Sequence, residues 1–213
     1  MAVAALPLIG CGGTSDGGGH RLVAALGDSI SAGNPGYDPH PSTRRSLGLG
    51  DDPKSQWEWW AEQKHPELEF RNCGVRGERT GEIMRRLRDC ASGADAVVVQ
   101  GGTNDLVEGV PVSTAAANLR RIVEAAKAAS LGVALADVLP LNTVHPRADP
   151  LIAALNRRIR GIAATEHVRL LPFHAVLEDP DHPGLMPRRW TADGIHPSVA
   201  GYRRLGELAF SPP

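Results

Sequence analysis

The sequence predicts an α/β fold in which helices cover both faces of a parallel sheet. Short apolar runs alternate along the chain with longer segments that carry apolar residues at helical spacing, and this alternation repeats five times. An apolar run without polar interruption, such as the one at 96–99, is typical of a strand buried on both faces. Alternating strands and helices favour a parallel sheet, because parallel neighbours must be joined by a crossover.

The predicted strands are apolar runs that end in turn-forming residues. The first run is closed by Gly27, and the third is followed by Gly101 and Gly102. Glycine at such positions permits the sharp turn that ends a strand. In chain order the predicted strands cover 20–26, 67–72, 94–100, 133–139 and 168–173.

The predicted helices carry apolar residues three or four positions apart. Leu119 and Ile122 fall on one face of an alanine-rich segment, and we expect Tyr202, Leu205 and Leu208 to face inward in the last helix. In chain order the predicted helices cover 55–64, 77–88, 113–129, 151–165 and 197–209.

Right-handed crossovers between five parallel strands favour a three-layer α/β/α sandwich. The expected arrangement is flavodoxin-like, with strand order 2-1-3-4-5. In such a sheet, ligands bind beyond the carboxyl ends of the strands, where the strand order reverses between the first and third strands. We therefore expect the functional residues to follow these strands.

Ser29 is the candidate nucleophile. It follows the first predicted strand in the block Gly27-Asp28-Ser29, where a sharp turn would expose its hydroxyl. A serine cannot act alone, because its hydroxyl needs a base to accept the proton and donors to hold the resulting oxyanion.

A candidate base lies near the other end of the chain. Asp193 precedes His196 by three residues, in a segment interrupted by Gly194 and Pro197. On one tight turn the carboxylate can reach the near ring nitrogen of His196 and fix its tautomer. The far nitrogen is then free to accept the proton of Ser29.

Two further polar blocks are candidate sources of oxyanion donors. One covers 72–77 and the other 101–105, and each follows an apolar run. The amide of Asn104 is a neutral donor that can hold an oxyanion without forming an ion pair. The alternative interpretation is that Asn104 only turns or caps the chain, and Asp105 is expected to stabilise that turn.

These four blocks, in this order, resemble those of the SGNH (GDSL-type) hydrolase superfamily of esterases, thioesterases and carbohydrate deacetylases. The resemblance extends from Gly27 to His196, nearly the whole chain. It implies Ser29 as the nucleophile, with Asp193 and His196 as the terminal pair. Taken together, these three residues would form a catalytic triad.

The resemblance also implies an oxyanion hole formed by Ser29, Gly77 and Asn104. Gly77, rather than Gly74, matches the glycine of the second block because it lies five residues after Asn72. We expect a helix to begin at Gly77 with its first amides directed at the site, and the absent side chain to leave room for the substrate oxygen.

The predicted activity is the hydrolysis of carboxylic esters, with short acyl chains favoured, through an acyl-enzyme. Alternatives on the same triad are an acyltransferase or a thioesterase; an alternative of another class is a catalytically inactive, flavodoxin-like binding module. The partner is a small-molecule ester, for which we expect contacts from Asp28, Tyr37 and Trp190. No cofactor is predicted, because the glycine-rich segment 12–19 precedes the first strand instead of following one.

Composition excludes several other functions. The 213 residues are enough for one domain, here 20–213, and the formal net charge of −1 gives no electrostatic case for nucleic acid. No run approaches the roughly 18 apolar residues of a membrane span. Composition does not determine the oligomeric state.

Cys73 and Cys90 are expected to be free thiols, and no metal site is predicted. If Cys73 ends a strand and Cys90 ends the following helix, about 18 Å of helical rise separates them. A disulfide requires Cα atoms within about 7 Å. The spacing of the two cysteines is also not that of a zinc site.

Residues 1–19 form an apolar segment followed by a glycine-rich linker. The stretch Leu8-Ile9-Gly10-Cys11 resembles a bacterial lipoprotein cleavage box, although no positive region precedes it. We expect a lipid anchor at Cys11 and an extracytoplasmic rather than a cytoplasmic protein. The other interpretation is a disordered tail.

Overall fold

The computed structural model describes residues 20–33 and 53–213. The N-terminal segment 1–19 with Cys11, and the position of Tyr37, lie outside the described residues. The predicted boundary at residue 20 therefore stays a prediction.

Five strands form one sheet in the order β2-β1-β3-β4-β5, and every neighbouring pair is parallel. This confirms the predicted strand order and the predicted fold class. The strands are β1 Arg21–Gly27, β2 Leu68–Gly74, β3 Ala96–Val99, β4 Gly132–Ala136 and β5 Arg169–Leu171.

The α-helices of the described residues alternate with these strands, and several are very short. They are α1 Ser29–Ala32, α2 Trp57–Lys64, α3 Thr80–Cys90, α4 Thr103–Val107, α5 Val112–Ala128, α6 Asp149–Glu166, α7 Phe173–Leu177 and α8 Val199–Arg204. Single 3₁₀ turns cover Pro53–Ser55, Asn142–Val144 and Arg188–Trp190. Within residues 20–33 and 53–213, no helix has the length and apolar character to cross a bilayer.

Alternate residues of β1 supply the two hydrophobic cores of the sandwich. Ala24 and Leu26 pack with α3, α5 and α6 on one face, whereas Val23 and Ala25 pack with α2, α7 and α8 on the other. All four side chains are fully buried. Successive strand residues point to opposite faces, so a continuous apolar run is what a central strand with two covered faces requires.

The end of the last helix departs from the prediction. Phe210 N donates to Leu205 O, five residues earlier, so that α8 continues as a wider π turn over Leu205–Ala209. The extra residue in this turn changes which residues face the core. Tyr202 and Leu205 are fully buried as expected, but the prediction for Leu208 was wrong, because its side chain is 57% exposed.

Cys73 and Cys90 form a disulfide, with their Cα atoms 5.9 Å apart, so the prediction of two free thiols was wrong. The prediction placed the start of the helix level with Cys73. In fact the connection 75–79 carries the chain beyond the strand end before α3 begins, and the helix then returns. Arg71 marks this alignment, because its guanidinium donates to the carbonyl of Cys90 at 2.9 Å.

Reduction of this disulfide is expected to destabilise the fold. The bond closes a loop with a sequence separation of 17, and a loop of that length contributes about 3 kcal/mol by restricting the unfolded chain. Urea unfolding with and without reductant measures this loss. The variant carrying both Cys73→Ala and Cys90→Ala should not respond to reductant; an equal response would mean that the disulfide is not the cause.

Candidate active site

The nucleophile block is fixed by hydrogen bonds at the carboxyl end of β1. Asp28 precedes α1, and its side chain accepts a hydrogen bond from Ile30 N at 2.9 Å, which caps the short helix. Ser29 is therefore the first residue of α1, where the helix itself does not use its backbone N–H. Its side chain is largely buried, with 9% of the residue exposed.

Gly27 allows this turn to pack tightly. A Cβ at Gly27 would collide with Ser31 Oγ and would lie 2.6 Å from Gln100 Oε1. Gln100 uses that same oxygen to accept hydrogen bonds from Asp28 N and from Ser31 Oγ. The end of β1 thus requires glycine because the neighbouring side chain of Gln100 holds the turn.

Asp193 and His196 lie on one tight loop between Trp190 and α8. The loop is closed by Ala192 N, which donates to His196 O at 2.8 Å. Asp193 Oδ1 accepts from the backbone N–H groups of Ile195 and His196, while Asp193 Oδ2 lies 2.8 Å from His196 Nδ1. The carboxylate is thereby fixed against one ring nitrogen, as the spacing predicts.

The other ring nitrogen of His196 reaches the nucleophile. His196 Nε2 lies 2.9 Å from Ser29 Oγ. The structure therefore brings Ser29, His196 and Asp193 into one hydrogen-bonded line, in which an imidazole connects a hydroxyl to a carboxylate. This is the geometry that lets a base accept a serine proton while an acid orients the ring.

Asp193 keeps its negative charge to low pH. Its partial burial favours the neutral form, but the hydrogen bonds from His196 and Ile195 outweigh burial and lower the pKa of Asp193 below its ordinary value. An ionised Asp193 stabilises the positive charge that His196 would carry after accepting a proton.

Asn104 lies beside the second block. It is the second residue of α4, and its Nδ2 donates to Glu78 O at 2.8 Å, which joins the third block to the turn that contains Gly77. An amide nitrogen carries two hydrogens, so one remains for another acceptor. The structure gives no evidence on whether that hydrogen faces a bound substrate.

The reasons expected for Gly77 were wrong. The helix α3 begins at Thr80, three residues later, so Gly77 is not its first residue. A Cβ at Gly77 would meet nothing within 4 Å, but its φ of +78° is a conformation that favours glycine. Gly74 is excluded as a free donor because its N–H already bonds Asn72 Oδ1 at 2.8 Å.

Asp105 connects the third block to the start of α3. Its carboxylate accepts from Thr80 N at 2.8 Å and from Thr80 Oγ1 at 2.7 Å. The expectation that Asp105 stabilises its own turn missed this role, because the partner lies 25 residues earlier. Asp105 thus fixes the start of α3 against α4.

Asn142 supports the catalytic loop from behind, and sequence reasoning did not identify it. Its backbone N–H donates to Gly194 O, and its side chain pairs with both backbone groups of Met186. No local pattern marks this residue, since the bonds to Met186 span 44 positions.

Residues 25–204 match the GDSL-like lipase/acylhydrolase family. The chain belongs to this family. It is accordingly a GDSL-type hydrolase, an enzyme of the carboxylic ester hydrolase class. No curated protein matches the chain.

Solved structures of other GDSL-type proteins share the fold. A protein from Desulfitobacterium hafniense, described as lipolytic and of the G-D-S-L family, is 23% identical with a TM-score of 0.72, covering 88% of this chain and 97% of its own. TesA is 25% identical with a TM-score of 0.66, covering 88% and 94%. A variant of Axe2, an acetyl-xylooligosaccharide esterase from a Geobacillus species, is 22% identical with a TM-score of 0.68, covering 88% and 91%.

The substrate contacts expected in this GDSL-type hydrolase stay predictions. Asp28 is fully buried below the nucleophile, a position that favours support of the turn over contact with substrate. The ring of Trp190 is half-buried and lies 3.9 Å from the guanidinium of Arg204. Tyr37 lies outside the described residues.

The described residues contain no group of three or more histidine, cysteine or acidic side chains arranged to hold a metal ion. The chemistry must therefore be argued from the side chains themselves.

Asp28 should make the hydrolase less stable as the pH rises through the mildly acidic range. Burial raises the pKa of Asp28 from 3.8 to about 6, against the lowering effect of the bond from Ile30 N. Between these values the folded protein keeps a proton that the unfolded chain releases, so the free energy of unfolding falls as pH rises, by about 3 kcal/mol in all.

The matched variant is Asp28→Asn, which can keep the cap but cannot ionise. Urea unfolding at pH 4, 5, 6 and 7 should show the free-energy difference between wild type and variant shifting in favour of the variant as pH rises. A difference that stays constant over this range would contradict the raised pKa of Asp28.

Proposed function

We propose that this GDSL-type hydrolase cleaves carboxylic esters of short acyl chains through a covalent intermediate on Ser29. The observation that carries the proposal is the 2.9 Å contact between Ser29 Oγ and His196 Nε2, with Asp193 hydrogen-bonded behind the ring. Membership of the GDSL-like lipase/acylhydrolase family supports the same chemistry.

In the first half of the reaction, His196 accepts the proton of Ser29 as the hydroxyl oxygen attacks the ester carbonyl. Asp193 holds the ring and stabilises the imidazolium that forms. His196 then donates this proton to the leaving alcohol, and the acyl group remains on Ser29. A water molecule takes the place of the alcohol in the second half, giving up a proton to His196, so that the free acid departs and Ser29 is restored.

The negative charge on the carbonyl oxygen requires donors. We assign them to the backbone N–H groups of Ser29 and Gly77 and to the side-chain amide of Asn104. The bond from Asn104 to Glu78 O supports this assignment, because it holds the amide next to the turn of Gly77. Each such donor contributes on the order of 10² to 10³ in kcat in serine hydrolases.

The proposal of short acyl chains rests on modest support. Aromatic residues make up 4% of the sequence, which provides little surface for a long chain. Axe2, which shares the fold, is an acetyl-xylooligosaccharide esterase by its printed description, and acetyl is a short acyl group. A series of nitrophenyl esters from acetate to laurate, with acetylated xylan included, would establish the preferred acyl length.

We also infer that the hydrolase acts outside the cytoplasm. The disulfide between Cys73 and Cys90 supports this location, because disulfides persist in oxidising compartments and are rare in the reducing cytosol. The lipid anchor at Cys11 remains part of the same proposal.

The substitution Ser29→Ala should abolish turnover of nitrophenyl acetate while leaving the fold intact. Ser29 is the attacking group, and removal of one hydroxyl from a largely buried site leaves the hydrophobic cores unchanged. Initial rates test the chemistry, and circular dichroism with urea unfolding tests the fold. A well-folded Ser29→Ala variant that hydrolyses the ester at the wild-type rate would overturn the proposed function.

A further inference from the structure

Arg76 occupies the tight turn between β2 and α3, directly before Gly77. Glu78 N donates to Val75 O at 3.4 Å across this turn, so Arg76 and Gly77 are its two central residues. The side chain of Arg76 is exposed. The residue proposed as an oxyanion donor is thus adjacent in sequence to a free-standing positive charge.

The turn that carries Arg76 is held on both sides by the candidate site. Val75 N donates to Gly27 O at 3.0 Å, one residue before the nucleophile block continues through Asp28. On the other side, Asn104 Nδ2 donates to Glu78 O at 2.8 Å. Two hydrogen bonds therefore fix the backbone of Arg76 between the nucleophile and the third block.

The neighbouring arginines of this region all have partners. Arg71 donates to two backbone carbonyls at the end of α3, Arg79 forms ion pairs with two glutamates, and Arg86 forms an ion pair with Glu78. Within residues 20–33 and 53–213, Arg76 makes neither a hydrogen bond nor an ion pair. Its guanidinium is therefore available to a ligand.

The charge of Arg76 acts on the floor of the site. Burial is the main reason why the pKa of Tyr202 lies well above its ordinary value, and the carboxylates of Glu58, Asp28 and Asp193 raise that pKa further. Arg76 lowers the pKa of the same phenol. The guanidinium thus lies within electrostatic range of the buried residues beneath the nucleophile.

The acidic groups around the site do not cancel this charge at the surface. Asp28 and Asp105 are 0% and 1% exposed, and both bind backbone N–H groups. Asp193 is bound to His196. At the mouth formed by the described residues, Arg76 is therefore the charged side chain that remains unbalanced.

We propose that Arg76 determines specificity for ester substrates that carry a negatively charged oxygen group, either a carboxylate or a phosphate. A guanidinium binds both groups through paired hydrogen bonds, and a neutral ester gains nothing from it. The inference rests on the proposed function, since it assigns a substrate class to the same site. Arg76 would hold the distal group of the substrate while Ser29 attacks the ester carbon.

The test compares two esters of matched size, nitrophenyl butyrate and nitrophenyl hemisuccinate, of which only the second carries a carboxylate. In Arg76→Met the ratio of kcat/KM for hemisuccinate to that for butyrate should fall about tenfold, mainly through KM. Arg76→Lys should retain part of the preference, and 0.5 M NaCl should reduce it in the wild type. A nitrophenyl ester with a terminal phosphonate shows whether carboxylate or phosphate is preferred.

The control is Arg85→Met, which removes an equivalent exposed charge from α3, where Arg85 lies 4.0 Å from Glu82. This variant should leave the ratio unchanged. If wild type and Arg76→Met have the same ratio, or if both variants shift it equally, the inference is wrong while the esterase proposal stands. If the wild type hydrolyses neither ester, the proposed function fails first.

Discussion

The hydrogen bond between Ser29 and His196 joins two parts of the chain that lie 167 positions apart. Neither residue is reactive by itself, so the site exists only where the fold brings them together. The parallel sheet supplies this constraint, because its strands all end at the same edge. β1 lies between β2 and β3, and the blocks that follow these three strands therefore meet around Ser29.

A layer of buried polar groups below the nucleophile gives the site its rigidity. Gln100, at the end of β3, accepts from both Asp28 N and Ser31 Oγ, which ties the strand carrying the third block to the nucleophile turn. Asn72, from β2, donates to Ser31 O and to the buried carboxyl of Glu58. Burial raises the pKa of Glu58 well above its ordinary value, so this carboxyl favours its neutral form. Such a layer destabilises the protein when its acids ionise, but it fixes the geometry at Ser29.

The sequence predicts the sheet well, because long-range order in a parallel sheet leaves a local signal. The residues of β1 and β3 are apolar without interruption, and only strands covered on both faces require that pattern. The triad residues were also predictable, since Asp193 and His196 share one turn and the glycine blocks mark strand ends. The fold class, strand order and family followed from these signals.

Other features depend on how elements are offset in space, and no local pattern reveals them. The disulfide forms because the connection before α3 extends past the end of β2, which the helical rise alone does not show. Asn142 and Asp105 support the site through partners 44 and 25 positions away. The helices α1, α4 and α7 have only four or five residues, too few for a helical period to appear.

Covalent labelling with a fluorophosphonate measures most directly whether Ser29 is activated by His196. The reagent reacts with a serine only where a base withdraws its proton and donors hold the oxyanion that forms. Mass spectrometry of the labelled protein should find one adduct, on the peptide that contains Ser29, and no adduct in Ser29→Ala or His196→Ala. An unlabelled wild type, or an adduct that persists in well-folded Ser29→Ala, would contradict the account.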